Sequence, residues 1–546
     1  MNKELRKLGV LAIAPAFLLL GSCRSNDTDG SMASSGPAAL NISLGGTDFG
    51  GTSDGGQASL GKEVRESRAV MLTPSTQAMI EVSSEPGMVK GSSKSGGVAV
   101  VPGDPLGPGN AFRVIAYRAS NGSYQAHQDY IIGSGSTPMM LDGGASYTIV
   151  AYSYGSSTLP AISAGETTNL SSAVASYDDT NPDFMYQRQS VTPNGNVTTP
   201  LTIVLRHKLS LLTMTLNVTN LGQGRIAGIT NTRILPHSTT GTINLSNGLM
   251  NRGTASQKSI NFAGPFETTT FETSSDPAWI NAQAVQQDPN GNINNMGRVL
   301  GEIRLRNDAA GVEITRNLTI PTFAITPERR QNVTVNFTTC GAFMGPGQTN
   351  FRAFKCHNEG ADTSVNAFAP VAAIHGAKYQ WGASTGQAGR YVSQADDQNI
   401  SGPFPNWIGT PLSAGWTDTG GPNNPCGAGF HVPTSAEWQA VVLNNFGRRV
   451  GIWTNSITNF GSGIYIGATN NERLFLPNAG IRRNSDGQLE NRGGLSFYWT
   501  STLFNSTVQP PFASVWLRFG GTPDVYLGTS GRDRSDAASV RCISNN

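Results

Sequence analysis

Apolar and polar positions alternate along most of this chain in short runs. In LNISL, Leu40, Ile42 and Leu44 fall on one side and Asn41 and Ser43 on the other, the period of a half-buried strand. The runs AMIEV (78–82), FRVIAY (112–117), YTIVAYSYG (147–155) and LTIVL (201–205) follow. After Arg206, His207 and Lys208 the alternation resumes at Leu212, Met214, Leu216 and Val218. It continues through GEIRLR (301–306), RNLTIPTFAI (316–325) and NVTVNF (332–337). Gly, Pro and Asn separate these runs. The pattern therefore predicts short strands joined by turns, in one or two antiparallel sandwiches divided near Arg206.

The character changes after GAFMGPGQTN (341–350), where Trp and Gly become frequent and strands are harder to mark. HVPTSAEWQAVV (431–442) predicts a helix. Thr434 can cap it, Glu437 three positions on can reciprocate, and Trp438, Val441 and Val442 supply a buried face. This part is expected to form a separate α+β module over 343–546.

At 546 residues the chain has room for about three domains, each with its own core. Abundant Gly (65 residues) and little helical periodicity favour a mainly β fold. A net charge of +2 supplies no basic field for nucleic acid. At the start of the sequence, Lys3, Arg6 and Lys7 precede an apolar run over 8–20 and then Leu-Gly-Ser-Cys (20–23). That run is too short to span a bilayer well and reads as a targeting segment. Small residues before a Cys resemble a bacterial lipobox, in which Cys23 becomes the acylated first residue of an exported lipoprotein. Buried acyl chains contribute about 0.8 kcal/mol per methylene, so several together anchor a protein that does not span the membrane. Residues 24–36 are polar and read as a tether. Setting Cys23 aside leaves Cys340, Cys356, Cys426 and Cys542, an even number that suits an oxidising compartment and allows three pairings. Zinc-type spacings are absent, so no metal is expected.

The segments FRVIAYR, MMLDGGASYTIVAYSYG and LTIVLRHKLSLLTMTLNV resemble the fimbrillin-like proteins of Bacteroidales bacteria. The likeness covers roughly residues 1–340. It implies an N-terminal β domain (37–206), a basic HKLS junction and a second β domain (207–342). FKCHNEGADT, IHGAKYQWG, NPCGAGFHVPTSAEWQAV, LFLPNAG, GGLSFYWTST and SVRCIS are together similar to the Fibrobacter major paralogous domain, which belongs with C-type-lectin-like folds. The combination resembles tip or accessory subunits of type V pili, such as the large accessory subunits of the Porphyromonas major fimbrium.

That resemblance implies how the molecule is assembled. The first strand of such precursors is cut away by an Arg-specific protease, and a strand from another fimbrial subunit fills the groove. Removing a strand exposes unpaired backbone groups beside apolar pockets, which another chain can pair in register. LNISL has the alternation of a strand that could leave. LGKEVRESRAVMLTP (60–74) gathers Lys62, Glu63, Arg65, Glu66 and Arg68 into seven positions of a chain only 14% charged. It is expected to be an exposed processing loop within a removable segment 37–68, with Arg68 ahead of Arg65 as the cleaved residue. The alternative is a plain solvated loop. The resemblance further implies passage through the outer membrane to a cell-surface fimbrium, and adhesion to a host or bacterial surface protein or glycan. It implies a Cys426–Cys542 disulfide that ties the last module closed, so that the molecule accepts a strand and does not donate one. Closeness in sequence favours Cys340 with Cys356.

No catalytic residue or cofactor is expected. Gly-rich stretches such as GGTSDGG lack the strand-then-helix setting of a phosphate loop. Sulfatase-activating enzymes share a related fold, but no cysteine pair here is left over for catalysis. His357 and His375, near Glu359 and Lys378, read as structural. Asp533 and Asp536 in RDRSDAAS are expected to pair with Arg532 and Arg534. LPNAG has no acid where sugar-binding lectins carry one, so calcium-dependent binding is not expected. Exposed Trp can anchor a ligand, and Trp407 and Trp416, flanked by Gly and Pro, are the candidates. The runner-up reading is a surface lipoprotein that binds a protein or glycan without polymerising.

Overall fold

A computed structural model describes residues 35–49, 64–85, 106–135, 137–284, 286–287, 293–308, 311–469, 471–503, 512–519, 525–527 and 532–545. Cys23 and nearly all of the tether lie outside these residues. Strand β1 (Gly36–Asp48) is followed by the hairpin β2 (Val64–Thr73) and β3 (Thr76–Glu85). Then come β4 (Ala111–Arg118), β5 (Tyr124–Ile131), β6 (Met139–Gly143), β7 (Tyr147–Ser153), β8 (Val174–Asp178), β9 (Met185–Val191) and β10 (Thr198–His207). Seven of them form one sheet in the order β5-β4-β7-β9-β10-β1-β6, which curls until β5 and β6 lie near each other. Inside the curl Leu40, Ile42, Val114, Ile149, Ile203 and Leu205 make one core. The opposite face buries Ile115, Tyr117, Val150 and Tyr152 under Ala175 and Tyr177 of β8. Burial on both faces explains why β4 and β7 read as continuous apolar runs without clean alternation.

β10 runs straight on into β11 (Ser210–Asn220), which opens the second unit. Its further strands are β12 (Arg225–Ser238), β13 (Thr240–Asn244), β14 (Met250–Arg252), β15 (Ala255–Ser259), β16 (Glu272–Ser274), β17 (Ala278–Ile280), β18 (Gln286–Gln287), β19 (Ile293–Asn294), β20 (Gly297–Asn307), β21 (Val312–Phe323) and β22 (Arg330–Thr339). One sheet runs β16-β11-β22-β3-β2 and faces another, β15-β12-β20-β21. Their inward residues, among them Ile80, Val82, Leu212, Met214, Ile303, Ile320, Val333 and Val335, form a single core. β13 reaches back to pair with β8, so the first two units share a small sheet. Pairing is antiparallel throughout these units apart from β1 with β10 and β11 with β22, which are parallel.

The structure corrects two expectations here. Residues 64–85 do not belong with the first unit: the β2–β3 hairpin extends the second sheet, with β3 against β22 over ten residue pairs. Ala78, Ile80 and Val82 alternate as expected, but alternation marks a half-buried strand without saying which sheet it joins. The charged stretch around Arg65 and Arg68 is likewise no loop. It is β2, the outermost described strand of its sheet, and its charged residues are exposed in the manner by which proteins blunt sheet edges.

Beyond β22, β23 (Gly341–Gly345) and β24 (Thr349–Ala353) lead into a third unit of short sheets with helices α1 (Gln394–Asn399) and α2 (Ser435–Asn444). Thr434 and Glu437 form the capping box on α2, and Trp438 and Val441 are buried against Phe354 and Ile464. Disulfides join Cys340 to Cys356 and Cys426 to Cys542, with Cα–Cα distances of 5.2 and 5.7 Å. The β2–β3 turn is tied to the first of them. The Cys340 N–H donates to the Ser75 carbonyl at 2.8 Å and the Cys356 N–H to that of Pro74 at 2.9 Å. No helix among the described residues is long and apolar enough to cross a membrane.

Candidate functional site

β1 is held by its alternation. Ala38, Leu40 and Ile42 face the inner core, while Asn41 and Ser43 point outward. It pairs in parallel with β10 from Ala39 opposite Thr198 to Asp48 opposite Arg206, and antiparallel with β6 from Gly36 to Leu40. The first register breaks at Gly45, an extra residue facing none on β10, as in a β-bulge. A Cβ on Gly45 would meet the Thr202 methyl at 2.9 Å, so a larger residue here must push that side chain aside. Among the described strands, β6 is hydrogen-bonded to the sheet only through β1. Taking β1 out would therefore strip β10 of nine residue pairs, unseat Leu40 and Ile42, and leave β6 without a hydrogen-bonded strand among those described. Fully burying such side chains is worth about 1.5–3 kcal/mol each.

The segment does not end at the strand. Phe49, directly after β1, is only 2% exposed. Its ring lies 4.1 Å, centroid to centroid, from His207 at the end of β10 and 5.8 Å from Trp279 of β17. His207 and Trp279 are themselves 4.9 Å apart, and the Arg330 guanidinium stands 5.3 Å over the Phe49 ring. His207 Nδ1 is hydrogen-bonded to the carboxylate of the buried Asp183. The sequence reading missed this cluster. The signal present in it was a glycine pair, Gly45 and Gly46, marking a bulge that changes which side the chain presents.

Arg65 and Arg68 lie on the outer strand of the neighbouring sheet, opposite Ser83 and Ile80 of β3. Arg68 Nη1 donates to the Thr322 hydroxyl of β21 at 2.8 Å. Downstream of Arg68, Ala69, Val70 and Met71 remain paired with Met79, Ala78 and Gln77. Gln77 in turn bonds Asn366 and the Ala367 N–H of the third unit at 2.9 Å each.

In the third unit Trp416 is 3% exposed, and its Nε1–H donates to the Ala383 and Asn423 carbonyls. It is a core residue and not a surface anchor, since the loop carrying it folds inward over Trp381. Trp407 is half-buried: its Nε1–H donates to the Asn484 carbonyl at 2.8 Å, and its indole lies flat on Gly487, where a Cβ would come within 2.5 Å. His357 and His375 are buried and make Nε2 bonds to the carbonyls of Val365 and Phe460. Asp536 pairs with Arg532 at 2.8 Å, whereas Asp533 accepts from Ser535 and Asn484, and the Arg534 guanidinium stands over the Trp381 ring. Among the described residues, the acidic and cysteine side chains close enough to share a metal are Glu359, Cys426 and Cys542, and the two sulfurs are bonded to each other.

No protein-family model matches the chain, and no curated protein sequence matches it. Solved structures align with parts of it. One from Bacteroides uniformis, provisionally described as a cell adhesion protein, is 13% identical over 43% of this chain and 92% of its own, with a TM-score of 0.28. A provisionally described adhesin from Bacteroides thetaiotaomicron is 14% identical over 38% of this chain and 72% of its own, at 0.27. A cell adhesion protein, again provisionally described, from Bacteroides fragilis is 8% identical over 55% and 96%, at 0.29. Likenesses at these scores carry no argument about what this chain binds.

Proposed function

We propose that this chain is the precursor of an adhesive subunit, at the tip or in an accessory position of a type V fimbrium, completed by strand replacement. The observation that carries the reading is the place of β1. It is a stave between β10 and β6, and the next described strand, outermost in its sheet, bears two arginines. Cleavage after Arg65 or Arg68 severs everything upstream, including an acylated Cys23, from everything downstream. The new start at Glu66 or Ala69 stays anchored through β3 and the third unit. β1 then leaves, and a strand of another fimbrial subunit enters beside β10. A protease that binds its substrate extended finds β2 already extended, the outermost described strand of its sheet. Segment 541–545 supports an accepting role. Cys542 is crosslinked, and Ile543 and Ser544 pair with His431 and Phe430, so this stretch is not available as a donor. The third unit, read as C-type-lectin-like, then presents the adhesive surface, with Trp407 as a contact.

A second reading is an anchored surface lipoprotein that binds without polymerising. Pairing of Arg65 and Arg68 within β2, and the bond from Arg68 to Thr322, favour it, because ordered backbone resists cutting. Mass spectrometry of the protein in sheared, purified surface fibres separates the two. The first reading expects a start at Glu66 or Ala69 and loss of fibre incorporation when both arginines are replaced by Ala. An intact acylated Cys23 on assembled fibres overturns it.

A further inference from the structure

Phe49 belongs to the segment that strand replacement removes, yet it packs outside the alternating core of β1. Its neighbours come from two units: His207 ends the last strand of the first, while Trp279 and Arg330 belong to the second. When 35–49 leaves, the space between these three opens at the joint where β10 becomes β11. An empty slot there would expose an indole and strip a buried imidazole, hydrogen-bonded to Asp183 and stacked also on that indole, of one of its two ring partners. Filling it restores apolar burial and stacking to groups that are already fixed in place.

We propose that this junction is a specificity pocket for the incoming strand, and that the strand it accepts carries an aromatic residue there. The inference rests on the strand-replacement reading and names the chemistry of the partner. The donor has apolar residues alternating where Leu40 and Ile42 stand and a small residue where Gly45 forms the bulge. Its aromatic ring comes seven residues beyond the position of Ile42. Alternation alone fits any amphipathic strand and allows slippage by two residues. The ring, placed past the bulge, admits one register only. The Arg330 guanidinium over the ring adds a cation–π contact, which favours an aromatic over an aliphatic occupant.

The test uses the full chain, cut at Arg65 or Arg68 by an arginine-specific protease, and a fluorescent synthetic peptide of residues 36–49. Fluorescence anisotropy compares the native peptide with its Phe49→Ala and Ile42→Asp forms. The native peptide should bind, Ile42→Asp should not, and Phe49→Ala should bind about tenfold more weakly. In a chain carrying Trp279→Leu the preference for Phe49 should shrink to about twofold. Equal binding of the native and Phe49→Ala peptides, with Ile42→Asp excluded, overturns the aromatic pocket and leaves strand replacement standing. Failure of every peptide, or equal binding of all three, removes strand replacement and this inference with it. The intact chain supplies a measurement that needs no cleavage. Phe49→Ala should speed amide exchange about tenfold at residues 206–211 without changing it at 539–543. Unchanged exchange at the joint overturns the proposal.

Discussion

Asp397 in the third unit is enclosed by three cations. Lys378 Nζ lies 3.2 Å from it, and Arg482 Nε and Arg492 Nη2 lie at 2.7 Å each, all with side chains at most 1% exposed. Burial alone would raise the Asp397 carboxyl, but its three partners hold it down at about 2. Burial pulls the Lys378 ammonium down to about 8 despite that carboxylate. The knot is thus specified from one acidic position. Asp397→Asn should cost about 3–5 kcal/mol, read as a lower urea midpoint, because three buried cations lose their counter-charge together. The two buried histidines set a separate acid limit. Burial lowers His357 to about 4 and His375 to about 3, from an ordinary 6.5. As pH falls below 6.5 the unfolded chain takes up protons that the folded chain refuses. Each of the two then withdraws about 1.4 kcal/mol of stability per pH unit, until its folded value is reached. Thermal unfolding followed from pH 7 to pH 4 should show this decline, and His357→Gln should make it shallower. Equal slopes for the two proteins would assign the acid sensitivity to other groups.

At the scale of elements, β1 shows how far the sequence can be read. The alternation in LNISL determines that residues 40–44 form a strand and which side is buried, since both are local properties. The capping box on α2 was legible for the same reason: Thr434 and Glu437 are three residues apart. What joins what was not legible. AMIEV has the same period as LNISL yet pairs with β22, some 250 residues away by the register, and no local signal distinguishes the two cases. The charged stretch around Arg65 and Arg68 carries the composition of a solvated loop and also that of a guarded sheet edge, and only the pairing decides between them. Trp416, with Gly and Pro around it, looked exposed, but its loop folds inward and both its acceptors are carbonyls in the interior. A test of β1 follows from the face it buries. Leu40→Ala should destabilise the first unit by about 2–5 kcal/mol, whereas Ser43→Ala, on the outward face, should stay within about 0.5 kcal/mol. Denaturation of the two variants, monitored by an amide probe in β10, checks the difference.

For the molecule as a whole, loss of β1 should be felt unevenly, and the connections predict where. Among the described strands of the first unit, β6 depends on β1 for its hydrogen-bonded neighbour and β10 for one of its two, and the inner core loses Leu40 and Ile42. The second and third units are fastened to each other by elements that processing leaves in place. The β2–β3 turn bonds the backbone at Cys340 and Cys356, Gln77 bonds Asn366 and Ala367, and Arg473 Nε donates to the Thr339 carbonyl at 3.1 Å. The disulfide between Cys340 and Cys356, 16 residues apart, restrains the unfolded chain by about 3 kcal/mol in the loop-entropy picture. These two units should behave as one rigid piece whether or not the slot is filled. Hydrogen exchange on the cut chain, before and after the released segment is washed away, makes this measurable. Protection should fall at 139–143 and 198–206, where β1 was the neighbour, and hold at 330–339 and 539–543. A loss spread evenly over all three units would mean that β1 is part of a single cooperative fold. Such a strand could not be exchanged without unfolding the whole, and an assembly route that begins by discarding it would be closed.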